Sequence, residues 1–510
     1  MRYLSCIVLV ISIVLLGSCR KDFDTVPNPG KLEFSKDTVY LDTIFSGIGS
    51  STYNLTVHNT GDEDITIPSI RLAQGENSYY RLNVDGLPGK TFENIDILAK
   101  DSIYIFVETT ASIQDLANSE LQFLYTGAIL FDAGAKQQRV ELVTLVKDAV
   151  FLYPQRFPDG SVDSLSLGSG ENQQKIAGFF LEDDQLHFTN EKPYVIYGYA
   201  AVGGGKTLTI DAGTRVHFHA ESGIIVAENG SLHVNGALST DPERMENEVI
   251  FEGDRLEPQF SDVPGQWGTI WLATGSTDHY FNHATIKNAT VGILMDSNDG
   301  GPAPTLTLKN TQIYNSANLG LWAKTAHIYG ENLVINNSGQ SSLNISLGGT
   351  YNFVHCTFAN YWENGFRQFP AVLIENNLET TEVMYVSDLV EANFTNCIIY
   401  GNENIELLFN KSPEAAFNYK FENCLLRFND ISNNFAGIPE YDFENAALFE
   451  NNVLNEDPNF LDPFQNKLNI GEESGANGIA VPNLIPRDIL GVSRSASPDA
   501  GAYESVVFPE

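Results

Sequence analysis

Apolar and polar residues alternate along most of this chain with a period of two, the pattern of half-buried β-strands rather than of helices. Leu32-Glu33-Phe34, Thr38-Val39-Tyr40-Leu41, Tyr53-Asn54-Leu55-Thr56-Val57, Ile65-Thr66-Ile67 and Ser102-Ile103-Tyr104-Ile105-Phe106-Val107 read as short strands, separated by turn residues such as Asn59-Thr60-Gly61-Asp62. Seven or so such strands within about 120 residues predict an immunoglobulin-like β-sandwich over residues 31–150. It contains no cysteine, so its core must hold by apolar packing alone.

Residues 151–185 carry Pro154, Pro158, Gly160 and a Gly168-Ser169-Gly170 cluster, and read as a connector. Beyond it the strands shorten and Gly and Asn fill the breaks, almost to the C-terminus. Six strings share one design: A-T-I-K-N from Ala284, T-Q-I-Y-N from Thr311, L-V-I-N-N from Leu333, C-T-F-A-N from Cys356, C-I-I-Y-G-N from Cys397 and C-L-L-R-F-N from Cys424. The first and third residues share a face, and the closing Asn tolerates left-handed backbone at a turn. The starts lie 27, 22, 23, 41 and 27 residues apart. Most of these intervals fit one coil of a parallel β-helix, and the longest holds either two coils or an insertion. The predicted class is all-β, a sandwich followed by a parallel β-helix over 186–470 and a closing segment over 471–510. At ~4.8 Å per coil, about 12 coils would make a rod roughly 55 Å long.

Composition changes the picture in one respect. With 65 acidic against 29 basic residues the net charge is −36, so the surface should repel nucleic acid and anionic polymers. Neutral glycans, cations and basic proteins are easier partners.

The first residues form a targeting segment: Arg2, then an apolar run over 7–16 too short to span a bilayer, then small residues. Leu16-Gly17-Ser18-Cys19 resembles the lipobox of bacterial lipoproteins, in which the cysteine is diacylated and becomes the mature N-terminus. The resemblance implies a signal peptide over 1–18, lipid on Cys19 and a tether over 19–30, and two acyl chains anchor stably. Arg20-Lys21-Asp22 resembles the charged tether of Bacteroidetes surface lipoproteins, implying an outer-membrane lipoprotein, surface-exposed or facing the periplasm. Residues 55–70 resemble sandwich modules of exported bacterial proteins. Residues 208–251 resemble the opening coils of the right-handed parallel β-helix proteins of bacterial surfaces. Asp457-Pro458-Asn459-Phe460 and Asp499-Ala500-Gly501-Ala502-Tyr503-Glu504 resemble their closing segment, with a departure at Ser474-Gly475-Ala476-Asn477-Gly478.

Candidate chemistry is sparse. Cys356, Cys397 and Cys424 occupy one place in their coils and would stack inward as a core ladder, or as a disulfide between coil neighbours. Asp296, Asn298 and Asp299 in an oxygen-rich loop could take calcium, though turn chemistry explains them equally well; no other cofactor is implied. His217 and His219, and His279 and His283, fall in strand or loop sequence without the helical geometry or the intervening Glu of a zinc motif. Trp267, Trp271, Tyr280, Trp322, Tyr361 and Trp362 could form a sugar-stacking strip or fill the core. No polygalacturonase-type motif or cationic lyase site is present. The leading expectation is therefore non-catalytic binding or adhesion to a glycan or protein. The alternatives are a polysaccharide-degrading lyase or glycoside hydrolase, and a spacer without ligand.

Overall fold

The structure, a computed structural model, describes residues 24–113, 122–167, 174–380 and 383–508. The leader and Cys19 lie outside the described residues. The chain is all-β and divides into two compact units, residues 1–148 and 149–510.

The first unit is a sandwich. One sheet runs in the order Val26–Pro27, Ile65–Leu72, Gln122–Phe131, Gln138–Lys147, Thr38–Phe45, with Thr91–Ile97 also paired to Ile65–Leu72. The other runs Glu33–Phe34, Tyr53–His58, Ser102–Thr109, Tyr80–Val84, Leu87–Gly89. Strand alternation sends Val39, Ile67, Phe131 and Val140 from one sheet and Leu55, Val57, Ile105 and Val107 from the other into one fully buried core. The stretch read as a free tether through residue 30 joins this unit earlier, because Val26–Pro27 pairs in parallel with Ile65 and Thr66. Proline is tolerated there because the strand lies at the sheet edge.

The second unit is a parallel β-helix with three columns of strands. In the first column eleven strands stack in register, from Val150–Leu152 to Val453–Leu454. The six strings found in the sequence lie directly against one another. Ala284 pairs with Thr311, and the registers that follow set Thr311 against Leu333, Leu333 against Cys356, Cys356 against Cys397 and Cys397 against Cys424. The 41-residue interval is one coil with an insertion, since Thr357 pairs straight to Ile398. The inserted chain forms a hairpin, Asn377–Glu379 with Met384–Val386.

Two expected boundaries move. The connector over 151–185 belongs to the solenoid: Val150–Leu152 pairs with Tyr194–Ile196, and residues 178–180 pair with 199–201. Pro154, Pro158 and Gly160 fall in the loops between these strands, which is why composition alone read it as a linker. The closing segment over 471–510 does not cap an end. It lies along the outer flank of the first column, where Leu468, Ile489, Ala502 and Tyr503 pack on Tyr314, Val334 and Ala359, and Ile470, Ala476 and Ala500 on Ile398, Tyr400 and Leu425.

The coil interior is built of like-on-like ladders. Phe353, Phe394, Phe421 and Phe449 stack at successive registers with ring centroids 5.2, 4.7 and 5.5 Å apart. Cys356, Cys397 and Cys424 are free thiols, fully buried, each one coil above the last. Corners are set by backbone. The residue that precedes each string adopts left-handed φ: His283 (43°), Asn310 (47°), Asn332 (48°), His355 (52°), Asn396 (58°) and Asn423 (53°). Asn is favoured because its short polar side chain tolerates this region. The closing Asn288, Asn315 and Asn337 form a second left-handed set, linked by amide bonds of 3.2 Å from Asn315 to Asn288 and 2.7 Å from Asn337 to Asn315.

The flanking segment is fastened by the first set. Asn396 Oδ1 accepts from the Val481 amide at 2.8 Å, and Arg494 donates to Asn332 Oδ1 at 2.9 Å while pairing with Glu504 at 2.8 Å. Arg494 is 3% and Glu504 10% exposed at the side chain. Arg494→Ala would strand a buried carboxylate, and we expect a loss of about 3–5 kcal/mol, read as a lower denaturant midpoint. Faster proteolysis within residues 480–508 should accompany it.

Candidate functional site

The second column places its outward residues by the same parity that builds the core. Ile270, Leu272, Ile293, Met295, Leu321 and Ala323 are fully buried inside, so Trp271, Leu294, Trp322, Asn344, Leu373 and Leu408 form one outward row in register. Two residues further along each strand comes a polar row: Asp296, Lys324, Ser346, Glu375 and Asn410. Upstream the face is covered by a hairpin pairing residues 164–167 with 174–177, whose Leu165 packs on Ala201 and Ile225.

The two rows are joined by side-chain bonds across the coils. Trp271 Nε1 donates to Asp296 Oδ2 at 2.5 Å, and Lys324 Nζ donates to Asp296 Oδ1 at 2.9 Å while lying 4.1 Å from the centre of the Trp322 ring. Trp322 Nε1 donates to Ser346 Oγ at 2.8 Å, and Ser346 donates to Asn344 Oδ1 at 2.9 Å. Glu375 takes hydrogen bonds from the Asn344 and Asn410 amides, the latter at 2.8 Å. Both indoles are half-buried and held in fixed orientation.

At the downstream end of this ladder lies a groove of about 280 Å³. Phe369, Leu373 and Leu378 give it apolar walls, Gln340, Asn344, Asn377 and Asn410 give amides, and Glu375 and Glu379 give carboxyls. Ser341 lines it too, fully buried, with no hydrogen-bond partner for its hydroxyl. Burial pushes the Glu375 carboxyl above its ordinary range against the opposing effect of its two amide donors. One wall is fixed by a buried ion pair. Arg367 donates to both oxygens of Glu406 at 2.8 and 2.6 Å and to the Phe369 carbonyl at 2.8 Å, while Glu406 also accepts from the Ala371 amide at 2.7 Å. A larger depression of about 600 Å³ beside Lys175, Tyr199 and Glu221 lacks such an amide lining.

The six aromatics expected to form a strip are divided. Trp271 and Trp322 share the outward row. Trp267 is 1% exposed, stacked on Phe218 at 4.2 Å, with its indole N–H on the Lys287 carbonyl at 2.9 Å; it lies in the core, so it cannot line a surface strip. Tyr361 is edge-on to Phe460 and Phe464 under the flanking segment. Tyr280 belongs to the third column, in register with His233 and Thr307, and Trp362 sits on the inserted loop, where its carbonyl accepts from Asn402 at 3.1 Å.

The oxygen-rich loop is tied into its own turn. Asn298 donates to the Thr325 carbonyl at 2.7 Å and accepts from the Gly300 amide at 2.8 Å, and Asp299 accepts from Thr277, the Gly301 amide and Thr305. Asp296 is committed to Trp271 and Lys324. Among the described residues no group of three or more His, Cys, Asp or Glu could hold a metal ion. His217 and His279 are buried, and burial lowers His279 to about 4. His219 pairs with Asp254 at 2.8 Å, and His283 is a corner residue.

No family model matches this chain, and no curated protein does. Among solved structures it is similar, at 12% identity and a TM-score of 0.25 over 73% of each chain, to the catalytic unit of a thermostable GH87 α-1,3-glucanase from Streptomyces thermodiastaticus. It is also similar to a family 123 glycoside hydrolase from Clostridium perfringens, at 10% identity and a TM-score of 0.16. That match covers 23% of this chain and spans about a quarter of the other, 26%. Likeness at this level leaves the site to be argued from its own residues.

The residues that sequence reading missed are Asn344, Glu375, Asn377 and Asn410. The available signal was the end of Val372–Glu375, where an apolar strand closes on an acid instead of an Asn. The sign of the Glu375 shift sets a pH dependence. A carboxyl raised in the fold contributes stability that is full below its ordinary value near 4.5 and is lost as pH rises through the raised value. Glu375→Gln should remove this contribution, so the gap between wild-type and variant melting temperatures should change in the variant's favour as pH rises from 4 through that range. A pH-independent gap would contradict the assignment.

Proposed function

We propose that this protein binds a neutral polysaccharide along the outer face of the second column. The observation that carries the reading is the bonded row from Trp271 through Trp322 and Asn344 to Glu375: two orientation-locked indoles two coils apart, followed by an amide-lined groove. Indoles supply apolar area with a polar edge, and amides supply both donors and acceptors for hydroxyl groups. The groove contains no Lys, Arg or His, and the net charge of −36 opposes a polyanion. A neutral hydroxyl-rich chain meets neither objection.

Trp271→Ala and Trp322→Ala should each weaken binding by ~2 kcal/mol, roughly thirtyfold, in affinity electrophoresis through gels containing neutral glucan, mannan, xylan or galactan. Tyr280→Ala, on another column, should leave mobility unchanged. Equal retardation of all three variants would sink the reading.

We further propose that the chain is held at a membrane surface by lipid on Cys19, which would present the solenoid to polymer outside the cell. Cys19→Ser should move the protein from the detergent phase to the aqueous phase on phase partition. Retention of the variant in the detergent phase would refute the anchor.

A further inference from the structure

We propose that the groove beside Glu375 hydrolyses a glycosidic bond of the polymer bound along the second column, with Glu375 as proton donor and Glu379 as base. The inference rests on the binding reading above and adds chemistry to it.

Three observations support the assignment. The groove is a continuation of the indole row, because Trp322, Asn344 and Leu373 are successive register neighbours; a chain lying on the indoles runs into it. Its lining is matched to a hydroxyl-rich ligand: the side-chain amides of Gln340, Asn344, Asn377 and Asn410. The two carboxyls also sit in contrasting environments. Glu375 is partly buried between Asn344 and Asn410, whereas Glu379 is exposed on the inserted hairpin. Burial holds the first in its protonated form to higher pH than water would. Two carboxyls separated by environment in this way divide the roles of acid and base.

In the step, Glu375 gives its proton to the glycosidic oxygen as the bond from that oxygen to the anomeric carbon breaks. A water adds to the anomeric carbon and passes its proton to the Glu379 carboxylate. The products are two shorter chains, one carrying a new reducing end, and the carboxyls return to their starting states by exchange with solvent. The step is redox-neutral, and water from solvent is the co-substrate.

The test incubates the purified chain with soluble neutral glucan, mannan, xylan and galactan, scoring bound polymer and new reducing ends together. Reducing ends should accumulate on a polymer that binds. Glu375→Gln and Glu379→Gln should each lower kcat by about 10²–10⁴-fold, while Trp322→Ala should raise KM. The two Gln variants back each other, since Glu379 is exposed and its replacement does not disturb a packed group. Polymer bound without cleavage overturns the catalytic inference and leaves the binding reading intact; full turnover in either Gln variant overturns the roles. Absence of binding to every polymer overturns both.

Discussion

Six successive coils of the solenoid turn from the third strand into the next first strand through one residue with φ between 43° and 58°, from His283 to Asn423. That backbone state is costly for most residues and cheap for Asn, so the corner fixes which residue can stand there. Once the corner is fixed, strand parity is fixed with it, because a one-residue slip would turn every side chain to the opposite face. The Phe353-Phe394-Phe421-Phe449 stack and the thiol column follow from the same constraint. A parallel strand buried on its inner face and bonded to neighbours above and below leaves no backbone group free, so the outward side chains are the ones that can vary.

The flanks of the rod are used in different ways. Residues 460–508 cover the first column with apolar contacts and with bonds to its corner asparagines. The paired strands 164–167 and 174–177 cover the start of the second column. What stays open is the stretch from Trp271 to Asn410. Its polar residues satisfy one another in two hydrogen-bonded sets, Trp271–Asp296–Lys324 and Trp322–Ser346–Asn344–Glu375–Asn410, which meet where Lys324 lies over the Trp322 ring and hold the row in place without closing it. Such preorganisation lowers the entropy lost when a ligand is ordered on the row.

The sequence made the core of this unit readable and its working face opaque. The six strings could be aligned because inward positions repeat a size and polarity from coil to coil, and the alignment reproduces the register of Ala284, Thr311, Leu333, Cys356, Cys397 and Cys424. The corner residue in front of each string went unread, since His283 and His355 interrupt the run of Asn. Trp267 and Trp271 look alike in sequence, yet one stacks on Phe218 inside and the other opens outward. Nothing local separates them. Glu375 and Asn410 are joined only by register across a coil that contains the hairpin, so no window of sequence holds both. The closing segment misled for a related reason: its alternation identifies a strand-like strip that needs an apolar partner, without saying which face supplies one.

The Arg367–Glu406 pair shows how the groove obtains its shape from a residue that does not line it. Burying two charges is expensive, and apolar residues of similar volume would often stabilise a fold as well or better. An apolar pair, though, would have no directional hold on the chain around it. Here the guanidinium grips both Glu406 oxygens, the Phe369 carbonyl and the Asn402 side chain, and Glu406 grips the Ala371 and Glu403 amides. Four of these six bonds tie the inserted loop to residues 402–406 of the next coil. The loop has no strand ladder of its own between Asn360 and Val372, so these bonds replace the ladder, and the position of Phe369 against Leu373 follows from them. The charge pair is best understood as setting geometry at the groove wall, with its net contribution to stability secondary.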